Sequence, residues 1–160
     1  MGQQGKHLNS IKVSHEKHTA GCATEIMAIP ETVCISMSQH IGAPCKPLVK
    51  KGDQVKVGQL IGDTDAFVSA PIHSSVSGTV KEISTIRSVT GGDDQVVIIE
   101  TDGNQDVYEE IKPPVINDMK DFIAAVRASG LVGLGGASFP THIKLNPKNL
   151  EEVDTLIVNA

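Results

Sequence analysis

The hydrophobic rhythm of the chain changes along its length. Between about residues 36 and 110, short apolar runs recur as LVKKG, QVKVGQLIG, FVSAP, SVSGTVKEI and QVVIIE. Turn residues interrupt them about every eight to twelve positions, the spacing of a small all-β unit. Pro113-Pro114 breaks this rhythm, and a longer period follows. In NDMKDFIAAVRASG, the apolar residues Met119, Phe122, Ile123 and Val126 fall at i, i+3, i+4 and i+7, one face of a helix. Asn117 or Asp118 is placed to cap its start, and Gly130 to end it in a left-handed conformation. A glycine-rich stretch comes next, GLVGLGGASFPTHIKL, and then the break Asn146-Pro147 and a charged turn. DTLIVNA reads as a strand that is apolar on both faces through Leu156-Ile157-Val158, the pattern of a strand inside a sheet. Helix, loop and buried strand together predict the opening of an α/β domain whose remainder lies beyond Ala160.

Three units are expected on this reading: an extended N-terminal segment over 1–35, a β unit over 36–110 and the beginning of an α/β domain over 111–160. The first is mixed polar, carries His7, His15 and His18, and ends in Ala-Ile-Pro before a short apolar–polar alternation.

Composition narrows the functions available. Aromatic residues are confined to Phe67, Phe122, Phe139 and Tyr108, so Val, Ile, Leu and Ala must build the core. The balance of 14 basic and 19 acidic residues gives a net charge of −5 without long runs. That argues against a nucleic-acid surface, which needs a basic patch and stacking rings. Apolar runs such as Val96–Ile99 are far shorter than the roughly 20 residues of a membrane helix. The N-terminus MGQQGKHLNSIKV lacks the apolar core of a secretory signal, and Lys6 stands where a myristoylation motif wants Ser or Thr. Cys22, Cys34 and Cys45 form no C-x-x-C pair, so no disulfide framework is written here. A cytoplasmic protein without a transmembrane segment is expected.

The candidate chemistry starts in the β unit. VKKGDQVKVGQLIG and SAPIHSSVSGTVKEI resemble the two halves of the biotinyl- and lipoyl-carrier fold, a flattened barrel with tight turns expected at Gly52, Gly58, Gly62 and Gly78. Carriers attach their cofactor to a lysine between the halves. Here that interval is Asp63-Thr64-Asp65-Ala66-Phe67-Val68-Ser69, and no lysine occurs from Val57 to Val80. Without the amine, the unit is a docking or packing module rather than a swinging arm. His40 and His73, at its edges, read as satisfied core or turn residues.

The second candidate is the glycine loop. Gly133-Leu134-Gly135-Gly136-Ala137-Ser138 approximates the dinucleotide-binding string, but a helix precedes it where a strand is required. No acidic residue ends the following strand, and the Walker pattern is absent. The chemistry of the residues is still usable. Gly135 and Gly136 let backbone N–H groups approach a phosphate or a ring. Phe139 and Pro140 offer an apolar wall, Thr141 a hydroxyl and Lys144 a positive charge. The plain alternative is a glycine-rich connection packed against a sheet.

The lysine-free carrier pattern, followed by GLVGLGGASFPTHIKL and VDTLIVNA, resembles the RnfC family, one of the subunits of the Rnf complex. That complex is the membrane-bound, ion-translocating ferredoxin:NAD oxidoreductase of bacteria. The family's loop is similar to GRGGAGFPTGLKW in the flavin subunit of respiratory complex I. The resemblance implies an α+β, multidomain protein: a lysine-free carrier-like barrel-sandwich unit, then the start of an α/β flavin- and NADH-binding domain. It implies FMN contacts from Gly133, Gly135, Gly136, Ala137, Phe139, Pro140, Thr141 and Lys144. Two positions depart from the complex I pattern, with Leu134 in place of arginine and Ser138 in place of glycine.

The implied activity is hydride exchange between NAD(H) and FMN, with single electrons passing to two 4Fe–4S clusters beyond residue 160. The implied partners are the other Rnf subunits and, indirectly, ferredoxin, with the protein peripheral on the inner face of the cell membrane. A soluble paralogue serving a proline reductase or a cobalamin reductase shares these features. With part of the α/β domain missing, an isolated stretch of this length is expected to bind FMN weakly and to turn over no substrate. A third reading, of another class, takes His15, His18 and Cys22 as H-x-x-H-x-x-x-C, with Cys45 completing a four-ligand metal site.

Overall fold

A computed structural model describes residues 14, 16–88, 91–155 and 157. Its first part is a curled, half-barrel pair of antiparallel sheets. Strand β1 (Thr32–Ser36) lies beside β7 (Asp93–Thr101), then β6 (Gly78–Arg87), then β3 (Gln54–Val55). The smaller sheet runs β2 (Lys46–Pro47), β4 (Leu60–Asp63), β5 (Ile72–His73). β1 pairs with β7 from Thr32↔Glu100 to Ser36↔Val96, so this strand crosses the boundary expected at 35/36.

Alternation along these strands builds one core. Ile35, Val55, Val80, Val97 and Ile99 from the larger sheet meet Ile61 and Ile72 from the smaller, with Met37, Cys45 and Val76 from the connections. Met37, Ile61, Val97 and Ile99 are wholly buried. At about 25 cal/mol per Å² of apolar surface removed from water, such a cluster is the main source of stability.

Several expected strands are shorter than the apolar runs suggested, or absent. LVKKG is a turn, because the Asp53 carboxylate accepts the Lys50 N–H at 2.9 Å and holds the chain back on itself. FVSAP is irregular, with the Ser69 hydroxyl donating to the Ala66 carbonyl at 2.6 Å and closing a local bend. Gly52 and Gly58 turn the chain at φ +91° and +80°. Gly62 and Gly78 instead lie in strands, where a Cβ would come within 2.5 Å of the Met37 sulfur and 2.1 Å of the Glu100 carbonyl.

The second part begins at helix α1 (Met119–Ala128). Asp118 caps it, accepting the Asp121 N–H at 2.8 Å, and the Asp121 carboxylate reaches back to the Asn117 N–H at 3.1 Å. The first bond satisfies an N–H that a helix start leaves open, and the second ties the residue before the cap to the first turn. Ser129 ends the helix and Gly130 follows at φ +69°. The expected apolar face exists but is poorly covered: no α1 residue is buried, and Met119 keeps 49% of its surface exposed.

A short turn of helix, α2 (Thr141–Lys144), packs beside α1, and a 3₁₀ turn (Leu150–Glu152) follows the Asn146-Pro147 break. The strand expected at DTLIVNA does not appear at its described residues. Val153, Asp154, Thr155 and Ile157 carry no regular structure, and neither sheet takes them as a neighbour. A strand apolar on both faces needs pairing on both edges, and these residues have none. Leu156 and residues 158–160 lie outside the described residues.

Candidate functional site

The glycine loop is a closed hairpin-like loop between α1 and α2. Its base is tied by antiparallel bridging of Val132 with Pro140, by the Gly133 N–H donating to the Phe139 carbonyl at 3.0 Å, and by the Thr141 N–H donating to the Leu131 carbonyl at 3.0 Å. Pro140 is wholly buried at this base. The tip is open: Leu134 is fully exposed, and a Cβ on Gly135 or Gly136 would meet nothing within 4 Å. Gly136 sits at φ +68°.

Lys144, at the end of α2, folds back over the loop. A Cβ on Gly133 would lie 2.5 Å from its ammonium nitrogen, so the missing side chain is what admits the charge. Phe139 keeps 37% of its surface exposed. The Ala137 carbonyl is engaged, accepting the Ile41 N–H of the barrel at 3.0 Å. Of the eight residues expected to line FMN, Gly135 and Gly136 lie at the open tip, Lys144 reaches Gly133, and Gly133, Phe139, Pro140 and Thr141 form the tied base, with Ala137 bonded to the barrel. Bare backbone with a cation beside it suits a flat, phosphate-bearing ligand: the glycines allow close approach, and the ammonium supplies counter-charge.

Ser138 is the second departure from the complex I pattern, and its backbone explains why glycine is at home there. It sits at φ +52°, a left-handed conformation that costs an L side chain about 1–2 kcal/mol.

Four residues of this region were not singled out from the sequence. Arg127, in the last turn of α1, donates from Nη2 to Asp63 Oδ1 at 2.9 Å and from Nη1 to Oδ2 at 3.3 Å. It also donates to the Thr64 carbonyl at 3.0 Å and stands 3.5 Å from the Ser69 hydroxyl. Burial opposes ionisation of Asp63, but the hydrogen bonds from Arg127 and the Thr64 N–H prevail and hold its carboxyl below the usual carboxylate range. Asp63, Thr64 and Ser69 lie in the interval noted only for its missing lysine. The legible signal was a lone arginine on a half-apolar helix, three residues before a helix-ending glycine.

A cleft of about 450 Å³ opens between α1 and α2, lined by Met119, Lys120, Ile123, Ala124, Arg127, His142 and Asn146. Its His142 has a buried, unpartnered Nδ1, and burial, aided by Arg127, lowers its pKa.

Of the two barrel histidines, His40 is buried and satisfied. A consistent tautomer donates from Nδ1 to the Ile41 carbonyl at 3.1 Å and accepts the Ala70 N–H on Nε2 at 3.1 Å. His73 is half-buried, and burial lowers its pKa against the opposing pull of Asp63. The metal reading gains no geometry. Cys45 is buried, its thiol donating to the Ala70 carbonyl at 3.2 Å, while His18 and Cys22 stand exposed. His15 lies outside the described residues, and among those described no group of three or more His, Cys, Asp or Glu could hold a metal ion.

The fold and loop define a class, a lysine-free barrel sandwich joined to the start of a flavin-type domain, and comparison with known proteins agrees. The RnfC barrel sandwich hybrid domain matches residues 6–104, and the Nuo51 FMN-binding domain matches residues 126–160. The chain belongs to the RnfC family. It is 45% identical over 149 residues to the subunit designated C of the proton-translocating ferredoxin:NAD(+) oxidoreductase complex of Clostridium ljungdahlii, covering 91% of this chain and 32% of that one. It is 47% identical over 134 residues to the Na(+)-translocating counterpart of Acetobacterium woodii, covering 82% of this chain and 30% of that one. The corresponding subunit of an ion-translocating oxidoreductase complex of Rhodobacter capsulatus is 34% identical over 152 residues, covering 92% and 29%. The chain thus spans about a third of the length of these relatives. Among the described residues no helix is long and apolar enough to cross a membrane.

Proposed function

We propose that this chain belongs to the electron-transfer subunit of an ion-translocating ferredoxin:NAD oxidoreductase, and that its glycine loop lines the FMN site. The observation that carries the reading is a coincidence of position. The loop with the open tip and the folded-back lysine falls inside the stretch that matches an FMN-binding domain, directly after the barrel of the RnfC family.

When bound, FMN supplies the conversion between two-electron hydride chemistry and single-electron transfer. The chain's own residues bind and orient. Gly135 and Gly136 present bare backbone to the ligand, Phe139 offers the apolar surface, and the buried Pro140 fixes the loop's base. Thr141 offers a hydroxyl, and Lys144 sets a positive charge over Gly133 for the phosphate. Gly133 leaves room for that charge, and Ala137 ties the tip to the barrel. NAD(H) as the hydride partner, the 4Fe–4S clusters in the remainder of the protein, ferredoxin, the other members of the complex and a place on the cytoplasmic face of the membrane belong to the same proposal. The barrel over 36–110, with β1, is its docking module, and 111–160 opens its flavin domain.

The test is a visible spectrum of the full-length protein, reconstituted with FMN and iron–sulfur, before and after NADH in the absence of oxygen. Flavin bleaching followed by loss of cluster absorbance is expected. Replacing Lys144 with Gln is expected to weaken FMN binding about tenfold, the worth of one charge-assisted contact. A full-length protein that takes up no flavin overturns the reading.

A further inference from the structure

In carrier proteins the hairpin between the two half-motifs holds the cofactor lysine. Here the same interval, 63–69, receives Arg127. The guanidinium makes a two-pronged bond to Asp63, takes the Thr64 carbonyl as a third acceptor, and stands beside the Ser69 hydroxyl. Nearby, the Ile41 N–H holds the loop's tip through Ala137, and Gly130 rests against the Pro71 carbonyl so closely that a Cβ would come within 2.5 Å of it. The loop is therefore suspended from one end of the barrel at both its root and its tip.

We propose that Arg127 is a positioning residue for the glycine loop, its fork to Asp63 fixing how the open Gly135–Gly136 tip is presented and thereby setting the affinity for FMN. The proposal rests on the flavin reading above.

Two features give this tether its leverage. Arg127 lies three residues before Gly130, where the helix ends and the loop begins, so a rotation of the helix end is passed directly to the loop. The planar guanidinium also fixes direction as well as distance, which a lysine ammonium would not. The exposed sides of the pair are limited, with side-chain exposures of 33% for Arg127 and 27% for Asp63, so solvent screens it only in part.

The experiment is an FMN titration of the full-length protein, followed by flavin fluorescence and by the visible circular dichroism of the bound flavin. Thermal melting is recorded alongside. Arg127→Met is expected to raise the FMN dissociation constant about tenfold and to change the dichroism, and Asp63→Asn to do the same. The double variant is expected to be no worse than either single one, because the two side chains act as a unit. The exchange of both charges, Asp63→Arg with Arg127→Asp, is expected to recover part of the loss. A merely structural role would lower the melting temperature and leave the affinity and dichroism of the folded protein unchanged. That result overturns the proposal while leaving the flavin site standing, as does an additive double variant. If Arg127→Met does not fold, Arg127→Lys decides: it keeps the charge and loses the fork, and a dissociation constant raised about threefold is expected. An unchanged constant counts against the proposal. Wild-type protein that binds no FMN removes the flavin reading, and this proposal with it.

Discussion

The barrel and the α1–loop–α2 unit are held by opposite means. In the barrel, ten buried residues from the two sheets and their connections form one cluster. In the second unit no helical residue is buried, and order comes from a capped helix, backbone bonds at the loop base and tethers to the barrel. The contrast suits the proposed division of work. The barrel's core makes a rigid mount, and the described part of the loop unit is joined to it by polar tethers.

Breaking the mount tests this most strongly. Ile61→Ala removes a wholly buried side chain at the meeting of the two sheets and is expected to cost about 3 kcal/mol, read as a fall in the denaturant midpoint. The loop unit should lose its amide protection in the same transition, since its tethers end on the barrel. A loop unit that stays protected after the barrel unfolds would show that the two are independent.

Acid should separate the two regions more gently. The pKa values of His73 and His142 are lowered, mainly by burial. Their unfolded forms take up protons below about pH 6.5 while the folded forms resist, so stability falls as the pH drops from there. The Asp63 carboxyl is also held low. Its contribution is present above about pH 3.9, its unfolded value, and is lost as the pH falls through the folded one. Thermal melts and amide exchange across this range should show an early loss from the histidines and then release of the α1 joint. Stability that is flat from pH 7 to 5 would contradict the histidine part.

The smallest effect runs in the opposite direction and is confined to the loop. Ser138→Gly relieves a left-handed serine and is expected to stabilise the loop by about 1 kcal/mol, seen as slower amide exchange in residues 133–139. The barrel core should not respond. A destabilised variant would mean that the serine side chain carries a contact that outweighs its backbone cost.

Much of this was legible in the sequence because the signals are local. The helix at Met119–Ala128 followed from its 3.6-residue period and its cap, and Gly130 ends it as expected. The half-motifs of the barrel were plain, and the absence of a lysine between them was decisive. Strand lengths were not legible. LVKKG and FVSAP are apolar enough for strands, yet the Asp53 carboxylate and the Ser69 hydroxyl bend the chain there. DTLIVNA has the pattern of an interior strand, but its described residues, Asp154, Thr155 and Ile157, have no neighbouring strand to supply the hydrogen bonds one needs.

Residue types announced the glycine loop and the lysine that follows it. Periodicity and spacing are properties of a few neighbouring residues, and the chain carries them wherever it goes. The Arg127–Asp63 pair is separated by 64 positions, and no local pattern couples an arginine in one element to an aspartate in another. The closeness of Lys144 to Gly133 and the left-handed Ser138 are of the same kind. The sequence by itself determined a lysine-free barrel, a capped helix and a glycine loop. Only the tertiary structure decided that the hairpin of the first became the anchor of the other two, because a salt bridge between distant segments exists only once the backbone has brought its two ends together.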